Sequence, residues 1–545
     1  MVDVASLHLP SAEVLAEYRA AGWWRDETFL DDLADAARTR PAHPAMIAYR
    51  DDTVRTVTYG EFPSLVERFA AGLSALGVGR GDVVVLYLPN LWQLPVLVYA
   101  CARIGAVCGI LNPFFAQREL AFNLEMSKAA VCITVDEFNS ADFGKRLEQA
   151  APETLRHRVV IGDAAATGAV DFTEFFLDTT HPAPDPALAL GPDDPAVMVC
   201  TSGTSGRMKG AIHSHNTLYA AIRSVSEPCG LGADDVIAVP HPHAFMAGLT
   251  YGVLMPLHLG GTCLADLQHT DMARLLDMIE RHRVSWAYMS PAYLVDLLAA
   301  NRAKPHDTGS LARIVTGSAP IQPELVAAAR EVLGVPLHAL WGMTENGAVT
   351  MTRPDDPDDW ATSSDGRGEP WMEVRIDLDD DPSAGRLLVR GASQCFGYLG
   401  QYETYAACLD DDGWFDTGDM ARPDGRDGIR IVGRRDDMIV RATGFKVPVL
   451  EVEGLLLKHP DIAELALVGY PDPAVPGVEL CCAVVVPTDQ PPSLEAIHEF
   501  LAATGITRLS CPDRVQYVRE LPRNSVGKIL RAPLRKRLEL AAAPR

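Results

Sequence analysis

The chain has 545 residues, 48% hydrophobic and 22% charged, with a formal net charge of −24. That length exceeds what one hydrophobic core supports, so two or more domains are expected. The acidic balance argues against a surface built to neutralise nucleic-acid phosphates or anionic lipid.

The first residues, MVDVASLHLPSAEV, carry acids and a proline where a leader would place a basic stretch and an apolar core, so no signal peptide is read. Residues 83–88 read as a buried strand, 94–104 as a helix and 107–111 as the next strand, which is α/β grammar. The apolar region 83–115 is broken by Pro89, Asn90, Gln93, Pro95 and Arg103, so no membrane span is expected. Residues 164–195 read as a surface connection. A second helix–strand unit runs over 275–291, its helix ending near Arg283 and its strand covering 284–289. Residues 312–315, closing at Gly317, read as a strand backed by a helix over 323–332. The acidic stretch 351–367 reads as loop. From Val374 onward short strands and tight turns take over, including 385–390 and the DGRDG turn at 424–428. After Gly433 an αβ pattern restarts and ends in a basic helix over 531–537, so the boundary is placed near Arg435, dividing 1–434 from 435–545.

Eleven cysteines occur without a CxxC pair, and Cys481 and Cys482 are adjacent, which suggests neither a zinc knuckle nor a disulfide framework and fits a reducing, cytoplasmic setting. His213, His215, His241 and His243 form two HxH pairs. No carboxylate or cysteine ligand is readable beside them, so they are not read as a metal site.

The strand at 196–200 runs into TSGTSGRMKG at 201–210. Its glycines, Gly203 and Gly206 among them, permit a backbone path closed to other residues. The hydroxyls of Thr201, Ser202, Thr204 and Ser205 and the loop amides can donate to phosphate oxygens, and Lys209 adds a mobile positive charge. The spacing differs from GxxxxGK[ST]. It resembles the TSGTTGxPKG signature of the adenylate-forming superfamily, whose members include acyl-CoA synthetases, luciferases and peptide synthetase adenylation domains; Met208 replaces the usual proline.

Further matches follow in the family's order. PHAFMAGL at 242–249 is similar to the segment walling the carboxylate pocket, which implies Phe245, Met246 and Gly248 as pocket residues. GSAP at 317–320 resembles the strand end on which adenine lies, implying Gly317, Ser318 and Ala319. WGMTE at 341–345 resembles YGxTE. Glu345 is suited to magnesium, a hard cation that takes oxygen ligands and shares phosphate. Thr344 would bond the nucleotide phosphate, and Trp341 offers an aromatic plane; His338, Gly342 and Met343 are carried over with them as nucleotide-site residues. GWFDTGD at 413–419 supplies Asp419, a carboxylate suited to a ribose diol. The stretch 433–453 resembles the family's inter-domain junction, implying Arg434 as a ribose or phosphate contact and Asp436 as the pivot. LPRNSVGK at 521–528 matches the closing segment and makes Lys528 the candidate for the α-phosphate and attacking carboxylate. The junction departs from the pattern: four residues separate Ile439 from Gly444 where three are usual, and Gly444 belongs to the loop that lines the pantetheine tunnel.

The resemblance covers the whole chain. It implies an α/β fold with a large N-terminal adenylate-forming domain, two αβ subdomains with a small β-barrel, and a small mobile α+β C-terminal domain. It further implies ATP and magnesium as cofactors, coenzyme A as co-substrate, a small carboxylic acid as substrate, and acyl-AMP formation followed by thioester formation. AGWWRDETFL at 21–30 and HPDIAELALVGYPD at 459–472 look like the medium-chain and cyclohexanecarboxylate CoA ligases of fatty acid metabolism. A carrier protein instead of free CoA stays open as acceptor, no nucleic acid is expected as partner, and a homodimer is admitted.

Overall fold

Short, largely apolar runs become parallel strands covered on both faces. Val83–Tyr87 and Val131–Val135 are buried at every position. The computed structural model describes all residues except 1–3, 51, 203–207, 268–270, 320, 358, 379–383, 436–438, 441–445, 448, 472–478, 505, 507, 524–526 and 543–545.

Internal contacts divide the chain into two units, Met1–Glu373 with Arg390–Trp414, and Val374–Val389 with Phe415–Arg545. Among the described residues the first unit holds two large sheets. The seven-stranded sheet has the order Met208–His213, Val197–Ser202, Val107–Ile110, Val83–Tyr87, Val131–Val135, His157–Ile161, Val170–Asp171. Its neighbours are parallel except the first pair, which is antiparallel. The nine-stranded sheet has the order Arg367–Gly368, Gly347–Met351, Leu337–Met343, Arg313–Gly317, Trp286–Met289, Val236–Ala238, Thr262–Asp266, Pro44–Arg50, Thr53–Thr58. Its centre, from Leu337–Met343 to Pro44–Arg50, is parallel and both edges are antiparallel.

The helix His215–Cys229 packs on Gly347–Met351 of one sheet and Met208–His213 of the other. Ser214 starts it with a capping box shared with Thr217, which satisfies amide groups that a buried helix end cannot leave to water. The helix expected over 323–332 is Pro323–Leu333, ended by Gly334 in the left-handed conformation. The strand expected over 284–289 is shorter, Trp286–Met289. Arg283 caps the preceding helix at φ 53°, and Val284 closes that cap by donating to Ile279 O.

The second unit holds most of a four-stranded sheet, Met372–Asp377, Gly385–Gly391, Phe415–Pro423, Ile429–Arg434, and a three-stranded sheet, Ile462–Pro471, Glu479–Pro487, Arg514–Tyr517. The three-stranded sheet is covered on both faces. Leu465, Leu467, Cys481, Ala483 and Val485 pack with Val452, Leu456, Ile497 and Leu501. Ala466, Val468, Tyr470, Cys482 and Val484 pack with Leu534 and Leu538. Strand alternation therefore sends Cys481 and Cys482 to opposite faces, and both are free thiols. Among the described residues no helix is long and apolar enough to cross a membrane.

Candidate active site

The phosphate-loop sequence lies between two antiparallel strands. Val197–Ser202 runs parallel to Val107–Ile110 and past its carboxyl end, and Met208–His213 returns, with Thr201 opposite Lys209 and Ser202 opposite Met208. Carboxyl ends of parallel strands are where open α/β sheets place ligands. Gly203, Thr204, Ser205 and Gly206 lie outside the described residues, as do the side chains of Thr201 and Ser202. The other edge of the return strand is covered by residues 396–399. Phe396 N donates to Ile212 O at 2.8 Å, Ile212 N to Gly397 O at 2.9 Å and Leu399 N to Gly210 O at 2.8 Å. Gln401 Nε2 adds a 2.7 Å bond to Met208 O.

Glu345 sits in the tight connection between Leu337–Met343 and Gly347–Met351. That connection needs Gly342, since a Cβ there would lie 2.1 Å from Gly347 O. The Glu345 residue is 6% exposed. Its Oε1 accepts from the Tyr398 hydroxyl at 2.5 Å, and its carbonyl accepts from Cys395 N at 2.7 Å. Oε2 remains an oxygen donor of the kind a magnesium ion takes, so this carboxylate fits that ion. Lys209 Nζ stands 4.8 Å from the centroid of the same Tyr398 ring. Burial first, and the Glu345 charge second, push the Tyr398 hydroxyl far above an ordinary phenol, so it stays a proton donor.

The neighbouring Thr344 carbonyl accepts from His213 Nε2 at 2.8 Å, while His213 Nδ1 is 3.0 Å from the Thr217 hydroxyl. Burial lowers the His213 pKa to about 4, against an opposing contribution from the Thr344 bond. His213 thus ties the return strand to the Glu345 connection. The other HxH histidines are also taken up by the fold: His215 Nδ1 accepts from Phe29 N at 3.2 Å, and His241 Nε2 accepts from Ser290 N at 3.0 Å while its ring stacks on Tyr293. His243 is buried and its amide donates to Asn90 Oδ1.

Gly317 ends Arg313–Gly317 opposite Leu340. A Cβ at Gly317 would meet Leu340 O at 2.4 Å, which explains the glycine. Ser318 follows at φ 71°, a strained conformation for a residue with a side chain and one that clusters at functional sites. Its hydroxyl is 3.0 Å from the Tyr288 hydroxyl, and Ser318 and Ala319 are both exposed. On the adjacent strand Leu337–Met343, His338 and Trp341 are buried, with Gly342, Met343 and Thr344 half-buried. The register thus brings residues 317–319 beside Trp341. Phe245, half-buried, precedes the short helix Met246–Leu249, which carries buried Met246 and Gly248. Tyr251 and Tyr288 pack ring to ring at 5.7 Å, as do His241 and Tyr288.

In the second unit, Asp419 and Arg434 are cross-strand partners. Arg434 Nη1 donates to Asp419 Oδ1 at 2.8 Å, and Asp419 N donates to Thr417 Oγ1 at 3.0 Å. The two residues assigned to the ribose are therefore held together. Lys528 is exposed and sits in a short connection closed by the pairing of Arg523 with Ile529 and by Leu530 N donating to Pro522 O. Asp436 and Gly444 lie outside the described residues. Tyr398 was not singled out in the sequence. Its signal was slight, an aromatic residue between glycines in FGYLG far along the chain from the residues it touches.

Two family models match: AMP-binding enzyme over residues 33–399 and AMP-binding enzyme C-terminal domain over residues 451–528. The 2,3-dihydroxybenzoate-AMP ligase of Bacillus subtilis (strain 168) is 31% identical over 539 residues, covering 96% of each chain. The medium-chain fatty-acid–CoA ligase of Escherichia coli (strain K12) is 29% identical over 532 residues, covering 96% of this chain and 92% of that one. The crystal structure of the anthranilate CoA ligase AuaEII in complex with anthranoyl-AMP matches in fold with a TM-score of 0.83 at 24% identity, covering 95% of this chain and 98% of that one. With a nucleotide-loop sequence, a buried Glu345 and a paired Asp419 in family order, this chain belongs to the AMP-binding enzymes and is an ATP-dependent, adenylate-forming ligase.

Proposed function

We propose that this ligase joins a small carboxylic acid to coenzyme A, through an acyl adenylate made from ATP. One observation carries the reading: Glu345 and Lys209, remote in sequence, both contact Tyr398, the carboxylate at its hydroxyl and the ammonium over its ring, with Lys209 in the strand that follows the phosphate-loop sequence. A carboxylate for a hard cation and an ammonium for phosphate, side by side, form an arrangement for holding a triphosphate.

In this reading the loop Thr201–Ser202–Gly203–Thr204–Ser205–Gly206, Lys209 and Thr344 hold the phosphates. Gly317, Ser318, Ala319, His338, Trp341, Gly342 and Met343 receive the adenine, and Asp419 with Arg434 receives the ribose. Glu345 would hold a magnesium ion, which would neutralise phosphate charge. Lys528 stabilises charge as the carboxylate attacks the α-phosphorus and pyrophosphate leaves, so catalysis is chiefly positioning and electrostatics. Asp436 is the assigned pivot, and Gly444 the assigned contact for the pantetheine arm as the thiol attacks the mixed anhydride. Phe245, Met246 and Gly248 suit an apolar acyl group of modest size, of the medium-chain or alicyclic kind.

A second reading, delivery of the acyl group to a carrier protein, draws on the AMP ligase relative at 31% identity. A panel of carboxylic acids scored by pyrophosphate release, alone, with CoA and with a phosphopantetheinylated carrier protein, tests both. The CoA reading expects thioester with free CoA; thioester on the carrier alone supports the second. Cleavage of ATP to ADP, or no pyrophosphate with any acid, would overturn both.

A further inference from the structure

We propose that Tyr398 is a positioning residue that sets Glu345 and Lys209 at once and keeps their opposite charges apart. This rests on the metal and phosphate roles given to those two residues above. The hydroxyl donates to Glu345 Oε1 at 2.5 Å, and the ring face carries Lys209 Nζ at 4.8 Å. A phenol has one proton to donate, and here it goes to the carboxylate. Among the described residues Glu345 and Lys209 form no ion pair, although each touches the same side chain. A direct pair would neutralise both groups and leave neither for a cation or a phosphate. The aromatic ring holds the ammonium by its electron-rich face while its hydroxyl fixes the carboxylate rotamer.

The tyrosine is itself clamped. It is 1% exposed, and its backbone lies in the segment bonded to the return strand. Tyr405 packs edge-on against it at 5.3 Å and 89°, and the Tyr405 hydroxyl donates to Cys395 O at 2.7 Å. A partner that fixes a metal-binding carboxylate from behind typically changes metal affinity or activity by 10- to 100-fold when lost.

The test titrates MgCl2 into the full-length protein with saturating ATP, read as heat of binding and as pyrophosphate release with an accepted acid. Tyr398→Phe keeps the ring face and removes the hydroxyl. Its magnesium half-saturation is expected to rise at least about tenfold, with the KM for ATP little changed and the rate restored at high magnesium. Tyr398→Met removes the ring as well, and is expected to raise both the magnesium requirement and the KM for ATP as Lys209 falls onto Glu345. An unchanged magnesium half-saturation in Tyr398→Phe, or a loss of rate that magnesium does not restore, overturns the proposal; if that variant does not fold, unchanged values in Tyr398→Met do so. Glu345→Gln separates the two levels. If it raises the magnesium requirement while Tyr398→Phe does not, only the Tyr398 proposal fails. If it has no effect, the metal assignment of Glu345 fails first.

Discussion

Lys528 stands exposed on a connection whose ends are fixed by Arg523, Ile529 and Leu530. In the proposed reading an ammonium there serves the step in which negative charge crowds the α-phosphate and has little to do once the anhydride exists. Lys528→Ala is therefore expected to slow pyrophosphate release by about 100-fold or more, the scale for removing one preorganised electrostatic contact. Thioester formation from supplied acyl adenylate should fall far less. Parallel assays of the two half-reactions check this, and equal losses would remove the assignment. Gly342 gives a second test at this scale. Ala at 342 would drive its Cβ to 2.1 Å from Gly347 O, so Gly342→Ala should cost about 1–3 kcal/mol, measured by urea denaturation. Glu345, Asp419 and Lys528 could be nominated from sequence because each sits in a short stretch that resembles a family signature. Tyr398 could not, because its role comes from a strand pairing across most of the first unit, and spacing along the chain does not encode such a contact.

The helix Arg531–Ala542 begins just after Lys528 and seats Leu534 and Leu538 on the three-stranded sheet. Its first residue, Arg531, reaches Glu453 with two bonds of 2.7 Å, and Glu453 also accepts from Leu467 N at 2.7 Å. The side chains are only 14% and 12% exposed. Removing the cation strands a buried carboxylate, so Arg531→Ala should destabilise the second unit by about 3–5 kcal/mol, whereas an apolar replacement of both partners should recover much of that. Urea denaturation of the single and double variants checks both statements. At this scale the strands read from sequence, Val83–Tyr87 and Trp286–Met289 among them, are ones buried at every position, with residues that are apolar without interruption. Strand ends were less legible: residues 284 and 285 lie outside their expected strand because Arg283 adopts a left-handed cap, a choice made by the packing of the helix it ends.

For the molecule as a whole, pH is the most direct lever. His213 and His215 are both buried, and burial lowers each pKa from 6.5 to about 4. Folded, the two rings stay neutral down to that value; unfolded, they take up protons below 6.5. Between the two values the unfolded chain binds more protons, so these histidines make stability fall as the pH drops, by about 1.4 kcal/mol per pH unit for each. Urea unfolding at pH steps from about 7 to about 5 should show that slope, and His215→Gln should remove about half of the histidine share. The alternation of strands and helices and the order of the sequence signatures told the fold class. The strand order of the two sheets could not be read the same way, because it depends on pairings between remote segments, such as Val83–Tyr87 with Val131–Val135.

The pairing of Gly210 with Leu399 sets a timetable. The strand Met208–His213 has one side bonded to Val197–Ser202, and its other side waits for residues 396–399. During synthesis the ribosome must add almost two hundred amino acids before that open edge is covered, and an uncovered strand edge invites pairing with other chains. Nascent chains stalled ahead of residue 396 should associate with one another or with chaperones in sedimentation assays, and full-length chains should not.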